Sequence, residues 1–137
     1  MSAMRTLFVL AACLLLAACA AAAQRMQMER EELAIYQSHA GEPVDQVRTF
    51  RMHGWQAVAD RSLLLETRLN QWYLVDVFGP CQGLQFAHTI GVRAAMNMLR
   101  ARFDHIVVDG QSCRIESIRP VDARAAREEI RELRRQQ

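Results

Sequence analysis

The chain has 137 residues, of which 51% are hydrophobic and 23% are charged, a balance typical of one small globular domain. This composition excludes collagen-like, low-complexity and broadly disordered proteins. All 17 basic residues are arginine and the formal net charge is only +2, so neither nucleic acid nor a strongly acidic partner is indicated.

The first 18 residues are typical of a bacterial secretion signal. Arg5 precedes an unbroken apolar run over residues 7–18, which is too short to cross a bilayer core of about 30 Å as a helix. The run ends in Leu16-Ala17-Ala18-Cys19, a lipobox in which two small residues fit a peptidase cleft and a cysteine offers its thiol to lipid. We therefore predict cleavage between Ala18 and Cys19 and lipidation of Cys19, because a competing match at Cys13 leaves too short an apolar core.

The residue after this cysteine bears on the destination of the protein. Ala20 is not the aspartate that typically retains lipoproteins in the inner membrane, so the motif favours the periplasmic side of the outer membrane. Membrane lipid is then one expected partner, held through acyl chains that each contribute about 0.8 kcal/mol per buried methylene. The alternative is an ordinary cleaved signal with a chance cysteine.

Two further segments precede the main domain. We predict a lipidated, alanine-rich tether over residues 19–24 and a helical stalk over residues 25–40, ended by Gly41-Glu42-Pro43. The apolar stripe of the stalk is thin, so the stalk suits a solvated element as well as a docked one.

Residues 44–137 are predicted to form one small β-rich domain with a C-terminal helix. Apolar and aromatic runs predict strands over 47–53 (including Phe50), 62–68, 71–78, 84–90, 99–108 and 113–119.

The connections between these strands complete the predicted fold. Asp109-Gly110 favours a hairpin turn, residues 92–98 fit either a helical turn or a loop, and Pro120 ends the last strand. Asp122 is a candidate cap for the closing helix over residues 123–135. The predicted class is α+β, mostly antiparallel β, with about six short strands in one twisted or partly closed sheet and a helix at each end of the chain.

Two cysteines remain beyond the leader and the lipidated residue. In a compartment that oxidises thiols, one disulfide between Cys81 and Cys113 is the simplest outcome. The alternative is that Cys81, beside Gly79-Pro80 and near His88, is a nucleophile.

Short strings over residues 51–122 carry a resemblance to a known family. They are Trp55, Asp60-Arg61-Ser62-Leu63, Trp72-Tyr73-Leu74, Gly79-Pro80-Cys81, Leu84, Phe86-Ala87, Arg102-Phe103-Asp104, Cys113-Arg114-Ile115 and Arg119-Pro120. The chain resembles short, uncharacterised proteobacterial envelope lipoproteins that are classed under a domain of unknown function. This resemblance implies an envelope location and a pairing of the two cysteines, and it implies no activity, ligand or site.

No motif in the sequence specifies a reaction, a cofactor or a catalytic residue. Nucleotide-binding glycine motifs, a nucleophile elbow and closely spaced metal ligands are all absent from the sequence. A metal site would have to be assembled by the fold, from His53, His88 and His105 with Asp104.

Trp72 and Tyr73 are adjacent in a predicted strand, so they point to opposite faces of the sheet and one of them is a candidate for an exposed contact patch. We expect a membrane-anchored, non-enzymatic binding or structural module whose partner is an unknown envelope protein or a small ligand. The alternative is a periplasmic hydrolase or redox accessory with a Cys/His or a His/carboxylate site.

Overall fold

The computed structural model describes residues 1–49 and 51–137, which divide into two compact units, Met1–Glu31 and Glu32–Gln137. Phe50, predicted to lie in the first strand, is outside the described residues. The elements are α1 (Ser2–Ser38), β1 (Gln46–Arg48), β2 (Gly54–Ala59), β3 (Ser62–Arg68), β4 (Gln71–Val77), a 3-10 turn (Leu84–Phe86), β5 (Gly91–Arg93), β6 (Met98–Arg100), β7 (His105–Val108), β8 (Gln111–Val121) and α2 (Ala123–Arg135).

The first unit is helical from Ser2 onward and exposes its leucines. Alanine and leucine are among the strongest helix formers, so the predicted tether over residues 19–24 is helical and joins the predicted stalk in one helix. The stretch Met4–Ser38 is long and apolar enough to cross a membrane, a test that an N-terminal signal sequence also passes.

The second unit contains a curled antiparallel sheet of six strands in the order β2-β3-β4-β8-β7-β5. A separate two-stranded sheet pairs β1 with β6. The predicted class, α+β with a six-stranded antiparallel sheet and two helices, is confirmed.

The sheet is buried on both faces along β3. The fully buried Leu63 and Leu65 face an inner core, and Leu64 between them faces an outer core. The inner core comprises Val47, Leu63, Leu65, Val75, Val77, Cys81, Leu84, Leu99, Ala101, Ile106, Val108, Cys113, Ile115 and Ile118. The outer core comprises Tyr36, Leu64, Leu74, Val121, Ala123, Ala126 and Ile130.

Both helices contribute to the outer core. Tyr36, near the end of α1, is only 2% exposed and packs in the same cluster as residues of α2. Glu32 accepts a hydrogen bond of 2.8 Å from Nε of Arg134, and the His39 and Glu129 side chains are 2.7 Å apart. The end of the predicted stalk is therefore docked on the domain.

Four strand predictions differ from the structure. The predicted strand 99–108 is divided into β6 and β7, which belong to different sheets, because Arg102 adopts a positive φ of 67° and the chain turns between them. Residues 84–90 form a 3-10 turn and a loop, because Gly83 enters the left-handed region at φ 82° and only Leu84 of the alternating residues is fully buried. The predicted strand 47–53 is shorter, and β2 begins at Gly54, where that prediction ended. Pro120 lies within β8, where its carbonyl accepts a hydrogen bond from the amide of Gly41.

The turn predictions are met more closely. Asp109 and Gly110 have φ values of 48° and 81°, as a tight hairpin turn requires. Met96 and Asn97 also have positive φ, so the ambiguous segment 92–98 contains a tight turn rather than a helical one. The Asp122 side chain accepts a 3.0 Å hydrogen bond from the amide of Ala125 and caps α2 as predicted.

A disulfide joins Cys81, in the loop after β4, to Cys113 on β8. Both cysteines are buried in the inner core, and their Cα atoms are 5.8 Å apart. The bond therefore fastens a loop that lacks strand pairing to a central strand of the sheet.

We predict that Cys81→Ser lowers the free energy of unfolding by about 3–4 kcal/mol, because the cross-link closes a long loop and removes conformations from the unfolded chain. Thermal denaturation should show a fall in Tm of more than about 10 °C. Ser112→Ala, an exposed position beside Cys113 on β8, is the control and should leave Tm nearly unchanged. A variant at position 81 that melts with the unreduced wild type would contradict the structural role of the bond.

Candidate functional site

A row of polar side chains crosses three strands of the sheet at Asp76. Asp76 on β4 is paired with Ser62 on β3 and with Ser117 on β8, so all three side chains point to the same face. Ser62 Oγ donates to Asp76 Oδ1 at 2.6 Å, and Ser117 Oγ donates to Oδ2 at 3.1 Å. Nη2 of Arg119 lies 3.5 Å from Oδ2 and partly balances the charge.

A β-bulge produces this row. Val77 pairs with Ile115 while Asp76 pairs with Ser117, so Glu116 is an extra residue on β8. The extra residue allows Ile115 and Ile118 to face the inner core together, although they are three positions apart. It also turns Ser117 outward, beside Asp76.

The row forms the floor of a cavity of about 390 Å³, here called the Asp76 cavity. Leu33, Gln37, Ala59, Asp60, Arg61, Ser62, Asp76, Glu116 and Ser117 line it. Three lining residues are acidic and one is basic, and that one, Arg61, is paired with Glu116 at 2.9 Å. The lining is therefore acidic overall.

The cavity offers hydrogen-bonding groups to a ligand. A carboxylate oxygen can accept two hydrogen bonds, and Asp76 Oδ1 accepts one from the described residues, so an acceptor position remains for a ligand. The described lining residues include no histidine or cysteine, so the hydroxyl of Ser62 has no neighbouring base of the usual kind. A small polar or cationic molecule fits these groups.

Asp104, a candidate metal ligand from the sequence, has a structural role. It is only 6% exposed and accepts a 2.7 Å hydrogen bond from the amide of Arg100. Hydrogen bonding to this carboxylate, and then its negative charge, raises the pKa of the Arg100 guanidinium above its ordinary value. Together these contacts hold the turn between β6 and β7.

The histidine-based metal site is not formed. Among the described residues, no group of three or more His, Cys, Asp or Glu side chains could hold a metal ion. His53 and His88 are exposed in separate loops, and His105 lies on β7. Cys81 is the disulfide partner of Cys113, so the thiol that a Cys81 and His88 site would require is already oxidised.

The predicted contact and lipidation residues occupy different parts of the chain. Trp72 packs on the outer core under the guanidinium of Arg127, 4.3 Å from the ring centroid, and Tyr73 packs on the inner core. Both rings are half-buried, and a contact patch at this pair stays a prediction. Ala18 and Cys19 are exposed within α1, and their cleavage and lipidation also stay predictions.

Sequence reasoning missed the Asp76 cavity. Of the three residues in the row, the sequence singled out only Ser62, as part of the family resemblance, and it indicated neither Asp76 nor Ser117 as a site residue. No short-range signal could have found them, because strand register and a bulge bring them together.

The fold and the cavity together define a small, disulfide-linked α+β domain that follows an N-terminal apolar helix. The profile of a family of unknown function, DUF6491, matches residues 2–137, and the chain belongs to that family. No curated protein and no solved structure matches the chain.

The Asp76 row generates a stability prediction. We expect Asp76→Ala to lower the free energy of unfolding by about 1–3 kcal/mol, because it leaves the buried Ser62 hydroxyl without its acceptor. Urea denaturation measures the change. Asp60→Ala is the matched control: this exposed carboxylate lines the same cavity without a partner among the described residues, and its loss should change stability by less than about 0.5 kcal/mol. Equal effects at both positions would show that the row does not support the sheet.

Proposed function

We propose that the protein is a lipid-anchored, non-enzymatic binding module of the bacterial envelope. It is exported, acylated at Cys19 and held on the periplasmic side of the membrane, where its folded domain binds a small ligand or another envelope component. The observation that carries the proposal is Leu16-Ala17-Ala18-Cys19 at the end of a charged and then apolar leader.

Two features of the chain support export and anchoring. The disulfide between the buried Cys81 and Cys113 suits a compartment that oxidises thiols. Cys19 is an exposed free thiol, as an acyl acceptor must be. Acyl chains on its sulfur would hold the domain at a bilayer after the leader is removed, whereas a single fatty acid gives only reversible attachment.

The Asp76 cavity supports binding as the role of the domain. It is concave, acidic and provided with hydrogen-bonding groups, and its described lining has no nucleophile beside a histidine base. A ligand with an ammonium group or several hydroxyls would complement Asp60 and Asp76. The outer membrane is the favoured location, because Ala20 follows the acylated cysteine.

The anchor is tested with Cys19→Ser and the matched control Cys13→Ser, both in the full chain expressed in a Gram-negative host with radiolabelled palmitate. We expect the wild type and Cys13→Ser to incorporate label and to migrate as the processed chain. Cys19→Ser should remain unlabelled and keep its leader, because its hydroxyl cannot accept the lipid.

The outcomes separate the parts of this proposal. Label retained by Cys19→Ser would reject acylation at that sulfur. Wild-type protein recovered in the inner-membrane fraction would reject the outer-membrane location, and Ala20→Asp should shift the protein to that fraction if Ala20 directs sorting.

A further inference from the structure

Three basic side chains lie side by side on neighbouring strands, outside the Asp76 cavity. Arg93 on β5 is paired with His105 on β7, and His105 is paired in turn with Arg114 on β8. Directly paired residues of antiparallel strands point to the same face. We call Arg93, His105 and Arg114 the basic row.

The basic row faces away from the inner core. The adjacent residues Val92, Ile106 and Cys113 belong to or pack on that core, so the basic row points to the opposite side of the sheet. Arg93 and Arg114 are exposed and His105 is half-buried.

No carboxylate among the described residues is paired with the basic row, although eight other arginines of the second unit form ion pairs. The acids close to it in sequence are engaged elsewhere: Asp104 with Arg100 and Glu116 with Arg61. The guanidinium of Arg114 lies instead 4.5 Å from the ring centroid of Phe78.

The guanidinium groups of Arg93 and Arg114 are thus left without a carboxylate partner among the described residues, and the ring N–H of His105 between them is a further donor. An anion bound above the row would supply the missing negative charge.

The geometry indicates which kind of anion fits. Adjacent strands are about 4.8 Å apart, so the backbones of Arg93 and Arg114 are roughly 10 Å apart. The guanidinium of Arg114 lies over Phe78, on the β4 side of β8, and has to turn toward His105 for the two long side chains to converge on one anion. The next row on the same face is Gly91, Val107 and Ser112. Its side chains are short, so they leave room for an anion, and Ser112 contributes a hydroxyl. A phosphate group presents oxygens on several sides and can accept from two guanidinium groups and a third donor at once, whereas a carboxylate has two oxygens in one plane.

We propose that the basic row is a binding site for a phosphate group, carried either by a free phosphate or by a phospholipid headgroup. This site is independent of acylation at Cys19 and of the Asp76 cavity.

The test uses the full chain in uncharged detergent at constant ionic strength. Inorganic phosphate, glycerophosphoglycerol and acetate are titrated separately, and amide NMR shifts locate any binding. We expect the two phosphates to shift amides of β5, β7 and β8 and acetate to have little effect. Tighter binding of inorganic phosphate would indicate a free phosphate as the source, and tighter binding of glycerophosphoglycerol would indicate a headgroup.

Arg93→Gln/Arg114→Gln should weaken phosphate binding by about tenfold or more, since it removes both guanidinium donors. The matched control, Arg124→Gln/Arg131→Gln on α2, removes the same charge from arginines paired with Glu128 and should bind within twofold of wild type. Without phosphate, the first variant should melt close to the wild-type Tm, because both guanidinium groups are exposed and neither is paired with a carboxylate among the described residues.

Three results would overturn the proposal. They are the absence of amide shifts in the wild type at millimolar phosphate, equal binding of acetate, and an equal loss of affinity in the α2 control. The wild-type NMR titration decides the first two even if the double variant does not fold.

Discussion

Burial of both faces of the central strands is the constraint on which the second unit depends. Leu63 and Leu65 point into the inner core, while Leu64 and Leu74 point the other way, and all four are at most 1% exposed. A sheet with leucine on both faces cannot leave either face in water, because each buried leucine contributes about 1.5–3 kcal/mol. The end of α1 from Glu32 onward and α2 therefore cover one face, and the β1–β6 pair and the disulfide-linked loop lie against the other.

The Asp76 cavity and the basic row both lie on the face of the sheet opposite the inner core, at positions where polar residues replace apolar ones. Along β4, Leu74 faces the helices and Asp76, two residues later on the same face, forms the floor of the cavity. Along β8, Ser117 contributes to the acidic cavity, and Arg114 belongs to the basic row beyond the bulge. The same strand thus supports two sites of opposite charge, which would select cationic and anionic ligands respectively.

Much of the fold follows from local signals in the sequence. Asp109-Gly110 specifies a hairpin turn and Asp122 specifies a helix start, each through interactions over a few residues. The apolar and aromatic composition of β3 and β4 predicts both strands. The strand predicted over residues 84–90 is wrong because the alternation of apolar residues there resembles a strand, whereas Gly83 and the disulfide impose a turn. The Asp76 cavity could not be predicted, because it depends on strand register and on the extra residue at Glu116, and neither leaves a short-range trace in the sequence.

Hydrogen–deuterium exchange of the full chain tests the two-faced burial most directly. The account predicts that the amides of Leu64 and Leu74 exchange at the rate of global unfolding, and that Tyr36 at the docked end of α1 is protected nearly as well, because both elements share the outer core. Rapid exchange at Tyr36 alongside slow exchange in β3 and β4 would contradict it, because one face of the sheet would then lack its cover.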